Sequence, residues 1–187
     1  TGASGAGCAV PPSDPFRRVT YRIPIPLGHA HILDDFECGS TEQTDWLRRF
    51  ARQSASMGTT RVFVVTEAGS DRVVAYYAWC MAQLAVGDAP QRLRKGAGRY
   101  PQPVALLARL GVDLAHGGRG LGAGLLTDVI ARVAALSGEI GCRGLLVHAE
   151  SKTARDFYLH LIPEFEQSPT DELHLVLMLK DIKRTLG

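Results

Sequence analysis

The chemistry legible in this sequence is concentrated in Leu110-Gly-Val-Asp-Leu-Ala-His-Gly-Gly-Arg-Gly-Leu-Gly-Ala-Gly-Leu-Leu126, where a strand-like run gives way to glycines that open a helix. Such a turn points unpaired backbone N–H groups, at the positive end of a helix dipole, toward one spot. That spot suits a phosphate. Glycine belongs there because a side chain would block the close approach of an anion to the backbone. No Gly-Lys-Ser/Thr follows, so a P-loop is excluded. Gly118-Arg-Gly-Leu-Gly-Ala123 does satisfy the dinucleotide fingerprint GxGxxG/A, and Glu150 closes the next strand, where a ribose-binding acid sits in such domains. Against that reading, only about 64 residues follow Ala123 and a hairpin pattern precedes it, whereas a dinucleotide fold repeats βαβ units. An ordinary strand-to-helix loop is a third reading.

Two further groups carry candidate chemistry. Arg155-Asp-Phe-Tyr158 places a phenol on a short amphipathic helix, where an aromatic packed into the core is the plainer account. Arg92, Arg94, Lys95 and Arg99 put four cations in eight glycine-rich residues, which is either a solvated charge run or a grip on a phosphate backbone. His148 and Glu150 end a strand close to the glycine turn. Either could relay a proton, but a surface histidine and a helix-capping acid are the plainer accounts, and no general base is assigned.

The elements that must position these residues follow from periodicity. Tyr21–Leu27 reads as an edge strand, since its prolines donate no ladder hydrogen bond. A capping box at Ser40–Gln43 starts a helix carrying Trp46, Leu47, Phe50 and Ala51 on one face, and Met57-Gly58 ends it. Arg61–Val65 and Arg72–Trp79 form an antiparallel hairpin around Gly69. After the break at 87–102 comes a strand over Val104–Leu114, in which Gly111 marks a bulge or a close backbone approach. A helix stripe from Leu125 to Leu136, a buried strand at 144–147, a helix at about 152–161 and a strand at 173–178 complete the order.

A chain of 187 residues, 45% hydrophobic and 21% charged, is globular and fits one domain. No apolar run approaches the roughly 18 residues of a membrane span, so no membrane partner is expected. The four cysteines have neither CxxC nor Cys/His spacing, so no metal is expected and a reduced, cytoplasmic setting fits. A net charge of +2 means that any nucleic acid must be held by a local patch. Residues 1–15 read as a disordered leader or cloning remnant, which leaves 16–187 as the domain.

From about residue 21 to 180 this order of elements resembles a GCN5-related N-acetyltransferase (GNAT), whose signature is Gln/Arg-x-x-Gly-x-Gly/Ala after a bulged strand. The matching window is Gly117-Gly118-Arg119-Gly120-Leu121-Gly122, with Gly117 departing from the consensus. The resemblance implies an α/β GNAT fold: a single domain with a mixed, mostly antiparallel sheet, flanked by helices and splayed at the cofactor site. It implies acetyl-CoA as the acetyl donor, with Gly117, Gly118, Arg119, Gly120, Leu121, Gly122 and Ala123 around the pyrophosphate. Val112, Asp113 and Leu114 would lend backbone groups to the pantetheine arm. Tyr158 would be the general acid for the departing thiolate.

The likeness narrows to GNAT toxins of toxin–antitoxin pairs. Asp35-Phe36-Glu-Cys-Gly39, Trp46-Leu-Arg-Arg49, Gly58–Val65, Val73-Val-Ala-Tyr-Tyr77 and Leu177–Ile182 carry it. It implies acetylation of the α-amino group of aminoacyl-tRNA, a block of translation, a ribbon-helix-helix antitoxin and a homodimer. Arg92, Arg94, Lys95 and Arg99 are then the tRNA-binding candidates. A GNAT enzyme for a small amine or a protein, and a protein that binds acetyl-CoA without turnover, are the rival expectations.

Overall fold

A seven-stranded sheet organises residues 20–186, the part of the chain that the computed structural model describes. The expected leader at 1–15 lies outside the described residues. The strands are β1 (Ile25–Pro26), β2 (Arg61–Thr66), β3 (Val73–Leu84), β4 (Gln102–Val112), β5 (Gly144–His148), β6 (Glu166–Gln167) and β7 (His174–Met178). They lie in the order β1-β2-β3-β4-β5-β7-β6, and β4 beside β5 is the parallel pair in an otherwise antiparallel sheet. The helices are α1 (Thr41–Asp45), running through a π-helical stretch at Trp46–Phe50 into α2 (Ala51–Ser56), then α3 (Gln91–Arg94), α4 (Leu121–Leu136), α5 (Lys152–Leu161) and α6 (Leu179–Leu186).

Strand alternation feeds two cores. In β2, Val62 and Val64 pack with Leu47, Ala51 and Tyr76 under the α1–α2 rod, while Phe63 and Val65 face Tyr77 and the α4 stripe of Leu125, Leu126, Val129, Ile130 and Val133. Both faces of β2 are therefore covered, and only Arg61 at its start is exposed. The edge at 21–27 is shorter than its pattern suggests. Ile25–Pro26 is the paired part, and beyond it Arg22 and Leu27 still donate to Thr66 O and Val62 O at 2.9 Å. Pro24 and Pro26 have no N–H to continue the ladder.

The bulge is not at Gly111. Ala78 pairs with Arg109 and Trp79 with Leu107, so Ala108 is the extra residue, and Gly111 pairs regularly with Tyr76. The glycine serves close approach instead: a Cβ there would stand 2.9 Å from Tyr76 Cε1 and 3.3 Å from Phe36 Cζ. The strand also ends at Val112, and Leu114 begins a 3₁₀ turn over Leu114–His116. Gly111→Ala is expected to cost about 1–3 kcal/mol, the range for overpacking a filled core. Chemical denaturation of the two proteins measures it, and equal midpoints would mean that Tyr76 moves aside freely.

Candidate active site

The bulge opens the sheet. Ala105, Leu106 and Leu107 pair with Leu145, Leu146 and Val147, and no later residue of β4 pairs with β5. Beyond that point β4 stays on β3 through Val112, while β5 continues to His148 on β7. The two parallel strands thus part at their C-terminal ends. Asp113 N–H donates to Val74 O at 2.8 Å, and antiparallel pairing alternates, so the N–H and C=O of Val112 face the gap. Of the three residues expected to serve a pantetheine arm, Val112 is the open one. The amides of Asp113 and Leu114 are engaged by Val74 O and Glu37 O, and Asp113 Oδ2 accepts from Glu37 N.

The glycine turn closes one side of this gap. Gly118 and Gly120 have φ of 70° and 78°, a region that side-chain-bearing residues rarely adopt. Gly120 is the N-cap of α4 and supplies no side-chain cap; the first bond of the helix is Gly124 N–H to Gly120 O at 3.0 Å. The amides of Leu121, Gly122 and Ala123 therefore have no carbonyl within the helix and remain as donors for an anion. Arg119 donates to Tyr21 Oη at 2.9 Å, and that phenol also meets His116 Nδ1 at 2.9 Å. Gly117 N–H reaches Leu114 O at 3.4 Å.

Helix α5 follows β5, the strand on the other side of the gap. Ser151 caps it by accepting from Ala154 N, so Glu150 is not the cap that the sequence allowed. Phe157 leans on the turn: a Cβ on Gly122 would lie 3.1 Å from its Cζ. Tyr158 is 7% exposed, packed edge-on between Phe157 and Phe165. Burial, and after it the nearby Glu150 carboxylate, hold its phenol well above the ordinary tyrosine range. It stays protonated at physiological pH. The same kind of environment holds Tyr76 protonated on β3, with burial again the largest cause; its hydroxyl donates to Gln43 O at 2.8 Å.

The remaining candidates separate. His148 stacks on His174 at 3.8 Å between ring centroids, and burial, then the neighbouring imidazole, lower its pKa. Glu150 instead accepts from Ser40 Oγ at 2.5 Å, joining the end of β5 to the N-cap of α1. Nothing in the sequence signals that contact.

The basic segment lies elsewhere. Arg92 and Arg94 belong to α3 and Lys95 caps it, ahead of β4. Ten residue steps of β4, about 33 Å at 3.3 Å each, separate this end from Val112. Arg92 is ion-paired with Glu166 and with Asp181 at 3.1 Å, and Arg94 Nε donates to Ala89 O at 2.7 Å. Lys95 and Arg99 are exposed. Arg143 and Lys180 join Arg92 and Lys95 around one shallow cleft at this end, an arrangement the sequence did not signal because β5 and β7 bring them together.

No known family profile matches the chain. A tRNA-acetylating toxin of Mycobacterium tuberculosis (strain ATCC 25618 / H37Rv) is 41% identical over 167 residues, spanning 89% of this chain and 98% of that protein. This chain belongs to the tRNA-acetylating toxins. Its fold is the GNAT fold. Among solved structures, AtaT complexed with acetyl-methionyl-tRNAfMet has a TM-score of 0.79 at 22% identity, covering 91% of this chain and 100% of that one. A Tyr-to-Phe mutant of AtaT, bound to the C-terminus of the antitoxin AtaR and to acetyl-CoA, has a TM-score of 0.72 at 22% identity, covering 90% and 97%. For a tRNA-acetylating toxin, the splay between β4 and β5, the bare amides of α4 and the buried phenol of Tyr158 form one candidate centre. Among the described residues no helix is long and apolar enough to cross a membrane.

Proposed function

We propose that this toxin transfers the acetyl group of acetyl-CoA to the α-amino group of aminoacyl-tRNA and so blocks translation. One observation carries the site assignment. The amides that α4 leaves bare come just after the end of β4 that parts from β5, and the protonated Tyr158 lies on the helix that follows β5, whose Phe157 packs against Gly122. The pyrophosphate lies against Gly117 to Ala123, of which Leu121, Gly122 and Ala123 supply helix amides. Val112 pairs with the pantetheine arm as a short added strand, and Asp113 and Leu114 shape its entry. The neutral amine attacks the thioester carbon, the C–N bond forms, the C–S bond breaks, and Tyr158 gives its proton to the leaving sulfur. A kinship of 41% with a tRNA-acetylating toxin supports this acceptor.

The test is direct. Protein, acetyl-CoA and charged tRNA are expected to yield N-acetyl-aminoacyl-tRNA, with no transfer to uncharged tRNA or to polyamines. Transfer to polyamines alone would select the small-amine reading, and binding of acetyl-CoA without any product would select the non-catalytic one.

The toxin acts in the cytoplasm, as a homodimer, and is held in check by a ribbon-helix-helix antitoxin. The AtaT complex with the C-terminus of AtaR supports an antitoxin partner. Arg92, Arg94, Lys95 and Arg99 bind the tRNA backbone away from the reacting end. Because Arg92 also ties α3 to α6 and β6, the informative variant is the double change Lys95→Gln with Arg99→Gln. It is expected to raise KM for charged tRNA and to flatten the salt slope by about 0.7–0.9 per lost contact, with acetyl-CoA affinity unchanged. Steady-state kinetics at two salt concentrations check this, and an unaltered slope would make the segment a solvated edge.

A further inference from the structure

The amine that attacks a thioester must be neutral, yet an α-amino group with a reference pKa near 7.7–8.0 is partly an ammonium at neutral pH. A carboxylate at the mouth of the site would meet that cation and take its proton. His148 ends β5 and Glu150 follows two residues later, and the fold treats them differently. His148 is occupied by His174, with which it stacks at 3.8 Å, and His174 in turn faces Asp171. Glu150 is turned the other way, to Ser40, across the gap that β4 and β5 leave open.

We propose that Glu150, held across the mouth of the splay by the Ser40 hydroxyl, receives the α-ammonium of the acceptor and takes the proton that it sheds before attack. This rests on the acetyltransferase reading above and names a residue for it. Three observations bring Glu150 to the reacting end. It is released from helix capping, since Ser151 does that work. It is exposed, yet anchored to a residue 110 positions away. Its carboxylate, after burial, helps to raise the pKa of Tyr158 on α5 and contributes in the same direction to Tyr76 on β3.

The charged groups around it are otherwise committed. From α1, Glu42 is ion-paired with Arg109 of β4 at 3.0 Å, and the Arg109 guanidinium lies over the Trp46 ring. On α5, Lys152 and Arg155 both face Glu172. Glu37 accepts from Gly39 N and Thr44 Oγ1. The Ser40 hydroxyl uses its hydrogen on Glu150 while its oxygen accepts Gln43 N–H, so the serine is a positioning residue fixed by the helix it caps.

The proton balance closes. The ammonium gives one proton to the Glu150 carboxylate and thence to solvent. The neutral amine forms the C–N bond, the C–S bond breaks, and Tyr158 protonates the sulfur. The second proton leaving nitrogen restores the phenol through solvent.

Glu150→Gln keeps the shape and can still accept from Ser40, so fold and acetyl-CoA binding are expected to survive in a thermal-shift assay. Its kcat/KM on charged tRNA is expected to fall about 10²-fold near pH 6.5, the lower range for a lost general base, and to recover toward wild type by about pH 9, where the amine arrives neutral. Ser40→Ala is expected to give a smaller loss with the same pH trend. A loss of equal size at every pH would make Glu150 structural, and turnover within about threefold of wild type near pH 6.5 would remove it from the reaction. Either result overturns the proposal. Failure of the wild-type protein to acetylate charged tRNA would instead overturn the acetyltransferase reading, so the two failures are distinct.

Discussion

Tyr158→Phe is expected to fold, to bind acetyl-CoA as wild type does, and to transfer acetyl about 10²- to 10⁴-fold more slowly, the range for a lost general acid. Only the hydroxyl is removed. The ring contacts with Phe157 and Phe165 that hold α5 persist, so thermal stability should change little. The wild-type pH profile carries a second expectation. Burial and Glu150 raise the phenol's pKa, the acid form is the one required, and its loss is therefore moved to higher pH than for a free tyrosine. Single-turnover rates should show no descending limb up to about pH 10, the reference value of an exposed phenol. Turnover of the variant within about twofold of wild type would mean that the hydroxyl protonates nothing of consequence.

Gly120→Val is expected to abolish stabilisation by acetyl-CoA. For wild type, ligand at about 100 times its Kd adds roughly 2.7 kcal/mol of stability, and the variant should gain none. Two effects act together. At a φ of 78° a β-branched residue is strained, so the turn must rearrange and its amides lose their common aim. The new side chain also stands where no protein atom lies within 4 Å, which is the open space before the α4 terminus. Gly120→Asn separates these causes, because asparagine tolerates the left-handed region: its apo stability should stay near wild type while ligand stabilisation is still lost. Gly122 is a less clean position, since a Cβ there presses on Phe157 and so reaches Tyr158 by another route. Equal stabilisation of wild type and Gly120→Val, or stabilisation by NAD instead, would refute the placement of the pyrophosphate.

The glycine turn, the α4 stripe, the capped helix at Ser40 and the phenol of α5 were legible in the sequence, because each is encoded within a few consecutive residues. Turn chemistry needs glycine where φ is positive, helix periodicity repeats every three to four residues, and a cap acts on the next turn. The short elements were not legible. α3 has four residues and β6 two, too few for any period to register, and α6 followed β7 with no break between them.

Partner-dependent features were decided only by the tertiary structure. The bulge falls at Ala108 and not at Gly111 because a bulge is a mismatch between two strands, and the register of β3 sets it. Arg92 reads as one cation among four, yet it also pairs with Glu166 and Asp181, which come from distant parts of the chain. Glu150 reads as a helix cap because it precedes a helix. It faces Ser40 instead because the sheet brings the end of β5 to the start of α1, and an ordinary hydrogen bond between residues 110 apart leaves no trace in local sequence.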